Sequence, residues 1–105
     1  MEVAANDQSA ARIRLTNTNT ASGGDSIEFV AGIPNVGQDG FSIRNATSNQ
    51  TQLVILGDGK VGIGTSSPSA KLHVEGAGNT SGTTALLVEN SGGLDLLNIN
   101  DSGYI

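Results

Sequence analysis

The 105-residue chain contains no cysteine and no tryptophan, and its only aromatic residues are Phe29, Phe41 and Tyr104. Without cysteine there is no disulfide, no thiol nucleophile and no cysteine metal site. The formal net charge is −5, and the five lysines and arginines are too few and too scattered for the basic surface that nucleic-acid binding requires. The longest apolar run, residues 53–56, is far shorter than the roughly 20 residues that span a bilayer. We therefore expect neither a nucleic-acid partner nor membrane insertion.

Small and polar residues dominate the composition. Glycine, serine, threonine and asparagine contribute 15, 11, 9 and 10 residues, which is 45 of the 105. This mixture disfavours helices, because glycine costs about 1 kcal/mol per helix position and the polar residues compete for backbone hydrogen bonds. The best chance of a helical turn is at residues 67–71, where Pro68 suits a first-turn position. Elsewhere apolar and polar residues alternate over short segments, so the sequence predicts an all-β chain of roughly seven to nine strands.

The alternation also predicts which side chains are buried. Residues two apart in a strand share a face, and the apolar face is the one expected in the core. The predicted core residues are Ile13, Leu15, Ile43, Ile55, Val61, Ile63, Leu72, Val74, Leu86 and Val88.

A weak internal repeat organises the chain. Three strand–turn–strand units have turns led by Asn17, Asn45 and Asn90, which is the hairpin pattern. The last two units are followed by similar acidic, glycine-containing turns at residues 57–61 and 101–105. We divide the chain into an N-terminal extension (1–10), a first set of hairpin repeats (11–66) and a further repeat (67–105). This last repeat is expected to be truncated at its C-terminal end, because residue 105 falls inside the second of these turn–strand segments.

The supply of large apolar side chains is small for a chain of this length. Ordering about 100 residues costs on the order of 100–200 kcal/mol of conformational entropy, whereas apolar burial returns about 25 cal/mol per Å². Small domains in this position use disulfides, metals or partner chains. With no cysteine and few metal ligands, we expect self-association.

The segment 57–62 matches the G-x-G-x-x-G pattern of dinucleotide-binding loops. That site needs a helix after the last glycine, but a strand-like segment follows here. We therefore predict a tight turn leading into a packed strand. Its structural residues are Gly57, Gly59, Gly62, Gly64 and Pro68, with Gly59 required for its backbone conformation and Gly62 and Gly64 for missing side-chain volume.

No arrangement of residues indicates chemistry. His73 is the only histidine, and it alternates with Lys71 and Glu75 on a face expected to be solvated or part of an interface. Three copies of His73 around an axis are the one arrangement that would bind a metal. The dispersed aspartates fit no calcium-loop spacing. We therefore assign no catalytic, cofactor-binding or metal-binding residue and no cofactor, and we expect the protein not to be an enzyme.

Residues 56–74 read LGDGKVGIGTSSPSAKLHV. They resemble the G-[DN]-G-x-V-G-I-G-T-x-x-P-x-A-K-L-x-V segment of bacteriophage tail fibres and tailspikes, often found upstream of an endosialidase-type intramolecular chaperone domain. The flanking segments 14–17, 39–45 and 86–93 are similar to the same proteins, so the resemblance covers about residues 11–105. It implies an elongated, intertwined homotrimer of short strands and hairpins, like a β-prism or triple β-helix. No residue matches the serine–lysine site of the chaperone, so none is assigned that role.

The leading hypothesis is a shaft or connector segment of a phage tail fibre, part of the virion, that supports host attachment. Its partners would be two further copies of itself, neighbouring tail or filament segments, and the host cell surface. One alternative is a module that binds a host-surface receptor, either a glycan or a protein. Another is a subunit of a bacterial extracellular filament or adhesin.

Overall fold

The computed structural model of the protein describes residues 11–33 and 38–103; the predicted N-terminal extension, residues 1–10, lies outside them. The all-β prediction is confirmed for the described residues. The only helical turn among them is a 3₁₀ turn at Thr20–Ser22, where the Asn19 side chain accepts a hydrogen bond from the Ala21 N–H, so the helical turn expected at residues 67–71 is wrong. The strands are β1 (Ala11–Thr16), β2 (Ser26–Ile33), β3 (Gln38–Asn45), β4 (Gln50–Leu56), β5 (Val61–Ile63), β6 (Leu72–Val74), β7 (Thr84–Glu89) and β8 (Asp95–Asn100).

The strands form two sheets. Strands β1 to β6 make one sheet in chain order, and the pairs from β1–β2 to β4–β5 are antiparallel. Strands β7 and β8 form a separate antiparallel hairpin. The chain divides into two compact units, residues 1–73 and 74–105, so the boundary predicted between residues 66 and 67 falls inside the first unit. Within each unit, strands that follow one another in sequence are neighbours in space.

The asparagines that lead the three hairpin turns hold those turns through their side chains. The Oδ1 atom of Asn45 accepts hydrogen bonds from the backbone N–H groups of Thr47 and Ser48, at 2.9 and 3.1 Å. Asn90 accepts two bonds from its turn in the same way, at 2.9 and 3.0 Å, and Asn17 accepts one at 3.0 Å. The three predicted hairpins, β1–β2, β3–β4 and β7–β8, are therefore present and have a shared local cause.

The strand register sorts the six-stranded sheet into two faces. Partners directly opposite each other in neighbouring strands point to the same side. We call one side the apolar face; two rows of it are Ile13–Phe29–Ile43–Leu53–Ile63 and Ala11–Ala31–Phe41–Ile55–Val61. We call the other side the polar face; its central row is Arg12–Val30–Ser42–Val54–Gly62.

The buried residues of this unit lie mainly on the polar face. Val30 and Val54 are fully buried there, together with Ser42, and Leu56 is buried beside them. Gly62 is buried because the chain after β5 folds against it: a Cβ at Gly62 would lie 2.5 Å from the carbonyl oxygen of Thr65. The single chain therefore buries the centre of the polar face, around Val30, Ser42 and Val54, and leaves the apolar face open.

The single chain by itself fully buries none of the ten predicted core residues. Four of the ten residues are only half-buried: Ile43, Val61, Val74 and Leu86. The other six are exposed: Ile13, Leu15, Ile55, Ile63, Leu72 and Val88. In the six-stranded sheet the two-residue period itself was correct, since Ile13, Ile43 and Ile63 lie side by side in one row. Alternation separates the two faces of a sheet but does not say which face another segment covers. Burial of these residues in an assembly stays a prediction.

The second unit is a hairpin with little core of its own. Leu86 and Ile99 are direct partners, as are Val88 and Leu97, so one face of the hairpin is apolar. Val88 and Leu97 are 44% and 37% exposed. An isolated two-stranded hairpin is at best marginally stable in water. The second unit therefore also presents apolar surface that its own residues do not cover.

Candidate functional site

The apolar face of the six-stranded sheet is a broad exposed surface. It exposes Ile13, Leu15, Phe29, Phe41, Ile55 and Ile63, each by between 39% and 60% of its surface. These residues lie on β1 to β5 in adjoining rows, so their exposed parts are contiguous. A shallow depression of about 190 Å³ lies among Ala11, Ile13, Phe29 and Phe41. Contiguous apolar patches beyond a few hundred Å² mark interaction sites in soluble proteins.

The polar face has an arginine cluster, formed by Arg12, Arg14, Arg44 and Glu28. The Oε2 atom of Glu28 accepts a hydrogen bond from Arg12 Nη1 at 3.0 Å. Its Oε1 atom accepts two, from Arg14 Nη2 at 2.9 Å and from Arg44 Nη1 at 3.1 Å. All the arginines of the chain thus converge on one carboxylate. The cluster has three positive charges against one negative charge.

Burial is uneven within the arginine cluster. The Glu28 side chain is 0% exposed and that of Arg44 only 12%, whereas Arg12 and Arg14 are 37% and 56% exposed. Burial alone would raise the pKa of Glu28, but the hydrogen bonds and positive charges of Arg12 and Arg14 outweigh it and hold that pKa below its ordinary value. The carboxylate is therefore ionised at neutral pH, at the closed end of a cluster that opens to solvent at Arg14.

The strand register assembles the arginine cluster. Arg14 and Arg44 are the direct partners of Glu28 in the neighbouring strands β1 and β3. Arg12 lies two residues before Arg14 and so on the same face. The prediction that the basic residues are scattered is wrong for these three, because the fold brings them to one carboxylate. The signal was present in the alternation of Arg12 and Arg14 with Ile13, but only the pairing of three strands shows that Glu28 is their common partner.

The glycine-rich segment 57–62 forms the turn between β4 and β5 at residues 57–60 and then enters β5, so it is not a loop leading into a helix. Gly59 has φ +89°, and the Oδ1 atom of Asp58 accepts a hydrogen bond from the Lys60 N–H at 3.1 Å. That backbone hydrogen bond is the main cause of a lowered pKa at Asp58. Gly62 lacks room for a side chain, and Gly64 is exposed with φ +79°, a backbone conformation that favours glycine. At Gly57 a Cβ would approach the Asp39 Cβ to 3.1 Å.

The side chain of His73, in β6, contacts the loop that precedes this strand. Its Nδ1 atom accepts a hydrogen bond from the Ser69 N–H at 3.2 Å, and the Ser69 hydroxyl lies 3.4 Å from the same atom. Pro68 in the same loop is buried. In the part of the chain that the structure describes, no group of three or more histidine, cysteine, aspartate or glutamate residues could hold a metal ion.

Within residues 11–33 and 38–103, no helix is long and apolar enough to cross a membrane. Comparison of the chain with protein-family models, with curated proteins and with solved structures finds no match.

Proposed function

We propose that this chain is a segment of a homotrimeric fibre of the phage tail-fibre type, in which it serves as a shaft or connector that supports host attachment. The observation that most favours self-assembly is the apolar face, which is exposed in the single chain. The resemblance of residues 56–74 to tail fibres favours three copies and a place in the virion. In this proposal three apolar faces pack together and form one shared core.

The energetics of the single chain support association. The buried apolar cluster of the first unit consists of only Ile33, Val54 and Leu56. The apolar face has six exposed apolar side chains, each with 39–60% of its surface still accessible. Burying that remaining surface stabilises an assembly by about half of the roughly 1.5–3 kcal/mol that full burial of such a side chain gives. The polar face is unsuited to the same contact, because its valines are already buried and its arginines are charged. Association through the apolar face therefore adds the most burial without desolvating an ion.

The proposal is tested by the mass of the protein in solution at micromolar concentration. We expect three times the 10.6 kDa of one chain. Ile55→Thr and Ile63→Thr should weaken the assembly, because each removes apolar surface from the apolar face and keeps a β-branched residue in the strand. Leu94→Thr is the matched control, since Leu94 is 64% exposed in the turn between β7 and β8.

Two outcomes would contradict the proposal. One is a folded, stable protein of 10.6 kDa over the whole micromolar range. The other is an assembly that dissociates no more readily in Ile55→Thr and Ile63→Thr than in the Leu94→Thr control, because its interface would then lie elsewhere. A stable dimer would retain the apolar face as the interface and refute the trimer.

A further inference from the structure

The arginine cluster has unused hydrogen-bonding capacity. A guanidinium group has five N–H donors in a fixed fork, and in the structure each of the three arginines directs one nitrogen to Glu28. Arg12 and Arg14 are 37% and 56% exposed, so their remaining donors face solvent. Arginine is the residue best suited to bidentate contact with carboxylate, phosphate or sulfate.

The charge of the cluster is unbalanced. Among the described residues, Glu28 is the only carboxylate paired with the three arginines, which leaves two net positive charges. Lys60, by contrast, has Asp58 as a partner at 3.5 Å. From this excess of positive charge and the open donors, we infer that the arginine cluster binds a single oxyanion group on the solvent side of Arg12 and Arg14.

Glu28 acts within this site as an internal anchor. It holds three flexible side chains together from below, so the guanidinium groups are positioned before the ligand arrives, which lowers the entropic cost of binding. Arg44, whose side chain is 12% exposed, lies on the buried side of the cluster, and Arg14 lies on the side that faces solvent. The arrangement is a pre-formed site with one anion inside and exposed guanidinium groups that can bind a second anion from solvent.

The chemistry of the rest of the chain restricts the ligand. The net charge of −5 repels extended polyanions, so the site favours one oxyanion group on a small molecule or a saccharide over a nucleic acid. Thr16 and Ser26 lie on the same face, in the next row of the sheet, with their hydroxyl oxygens 3.0 Å apart. These hydroxyls offer hydrogen bonds to a ligand that extends beyond its charged group.

This inference does not rest on self-assembly. The arginine cluster lies on the polar face, opposite the apolar face, so packing of copies through the apolar face leaves it open. A monomeric protein would bind the same anion, and a trimer that binds no anion would leave the proposed function intact. The two proposals therefore fail separately.

The test is a titration of the full chain with sodium phosphate, sodium sulfate and sodium glucuronate at constant ionic strength, followed by NMR of the backbone amides and arginine side chains. We expect saturable shifts confined to β1, β2 and β3 with at least one of the probes. Arg14→Gln should weaken that binding at least tenfold, because it removes the most exposed guanidinium of the cluster. Lys60→Gln removes the same charge elsewhere and should leave the affinity within twofold of the original.

A second variant separates a binding site from a purely structural ion cluster. Glu28→Gln keeps an amide oxygen that accepts hydrogen bonds from the arginines, so most of their positioning is retained, but it removes the internal negative charge. The net charge of the cluster rises from two to three, and the affinity for the anion should therefore rise about fivefold. Saturation with glucuronate alone identifies a carboxylate-bearing saccharide as the ligand class, and saturation with phosphate or sulfate alone identifies a phosphoryl or sulfuryl group. Shifts that never saturate, or equal effects of Arg14→Gln and Lys60→Gln, would overturn the inference. If Glu28→Gln does not fold, the comparison of Arg14→Gln with Lys60→Gln decides.

Discussion

Replacement of Glu28 by glutamine is the perturbation with the largest expected effect on stability. The side chain of Glu28 is completely buried and accepts three hydrogen bonds from arginines. Breaking a buried ion pair by removing one partner costs about 3–5 kcal/mol. Arg12 and Arg14 are more than a third exposed and can return to water, so we place Glu28→Gln at the lower end, about 3 kcal/mol.

The same carboxylate makes stability depend on pH in a defined direction. The pKa of Glu28 is lower in the folded protein than in the unfolded chain, so its contribution is fully present above the unfolded value of about 4.3. The contribution is lost as the pH falls below that value and through the folded pKa. Other carboxylates titrate in the same range, so the diagnostic quantity is the difference between the original protein and Glu28→Gln, which should shrink as the solution is acidified.

Urea unfolding followed by circular dichroism, at one fixed protein concentration, measures both effects. With a slope of about 1 kcal/mol per molar urea for a chain of this size, the midpoint should fall by roughly 2–3 M at pH 7. Glu89→Gln is the matched control, because Glu89 is an exposed carboxylate on β7 and should change stability by less than about 0.5 kcal/mol. If Glu28→Gln behaves like Glu89→Gln at pH 7, the arginine cluster is not a stabilising ion cluster and the reasoning is refuted.

Three further predictions follow from the local structure, and thermal melts test each of them. Gly62→Val should lower the free energy of unfolding by about 1–3 kcal/mol, because a Cβ there would lie 2.5 Å from the Thr65 carbonyl oxygen. Gly92→Ala is the control and should change it little, because the nearest contact of a Cβ at Gly92 is 3.4 Å away. Equal melting temperatures for the two variants would contradict this packing. Lys60→Ala should change the free energy of unfolding by less than about 0.5 kcal/mol. Melts of the original protein and of this variant are repeated with added nucleotide. A melting temperature that nucleotide raises in the original protein but not in Lys60→Ala would indicate a phosphate-binding loop instead. Asn45→Ala removes two hydrogen bonds to its turn and should lower the free energy of unfolding by about 1 kcal/mol. An unchanged melting temperature would contradict this role of Asn45.

Local features of the fold followed from the sequence because their causes are local. The strands, the three asparagine-led hairpins and the turn at residues 57–60 depend on residues close together in the chain, through the two-residue period, side-chain caps such as that of Asn45, and the positive φ of Gly59. The 3₁₀ turn after Asn19 has the same kind of cause and could have been found from its capping residue.

Two features depended on how strands and loops meet in three dimensions. The period placed Ile13, Ile43 and Ile63 on one face but could not show that the single chain buries the centre of the other face. That burial depends on how the chain folds back after β5, where the Thr65 carbonyl lies against Gly62. The arginine cluster depends on the register of three strands, because Arg14 and Arg44 lie 14 and 16 residues from Glu28 in the sequence and meet it only through strand pairing. Alternation and turn chemistry act over two to five residues, so they could be predicted from the sequence. Burial and ion pairing depend on residues that are neighbours in space, and only the folded sheet brings those residues together.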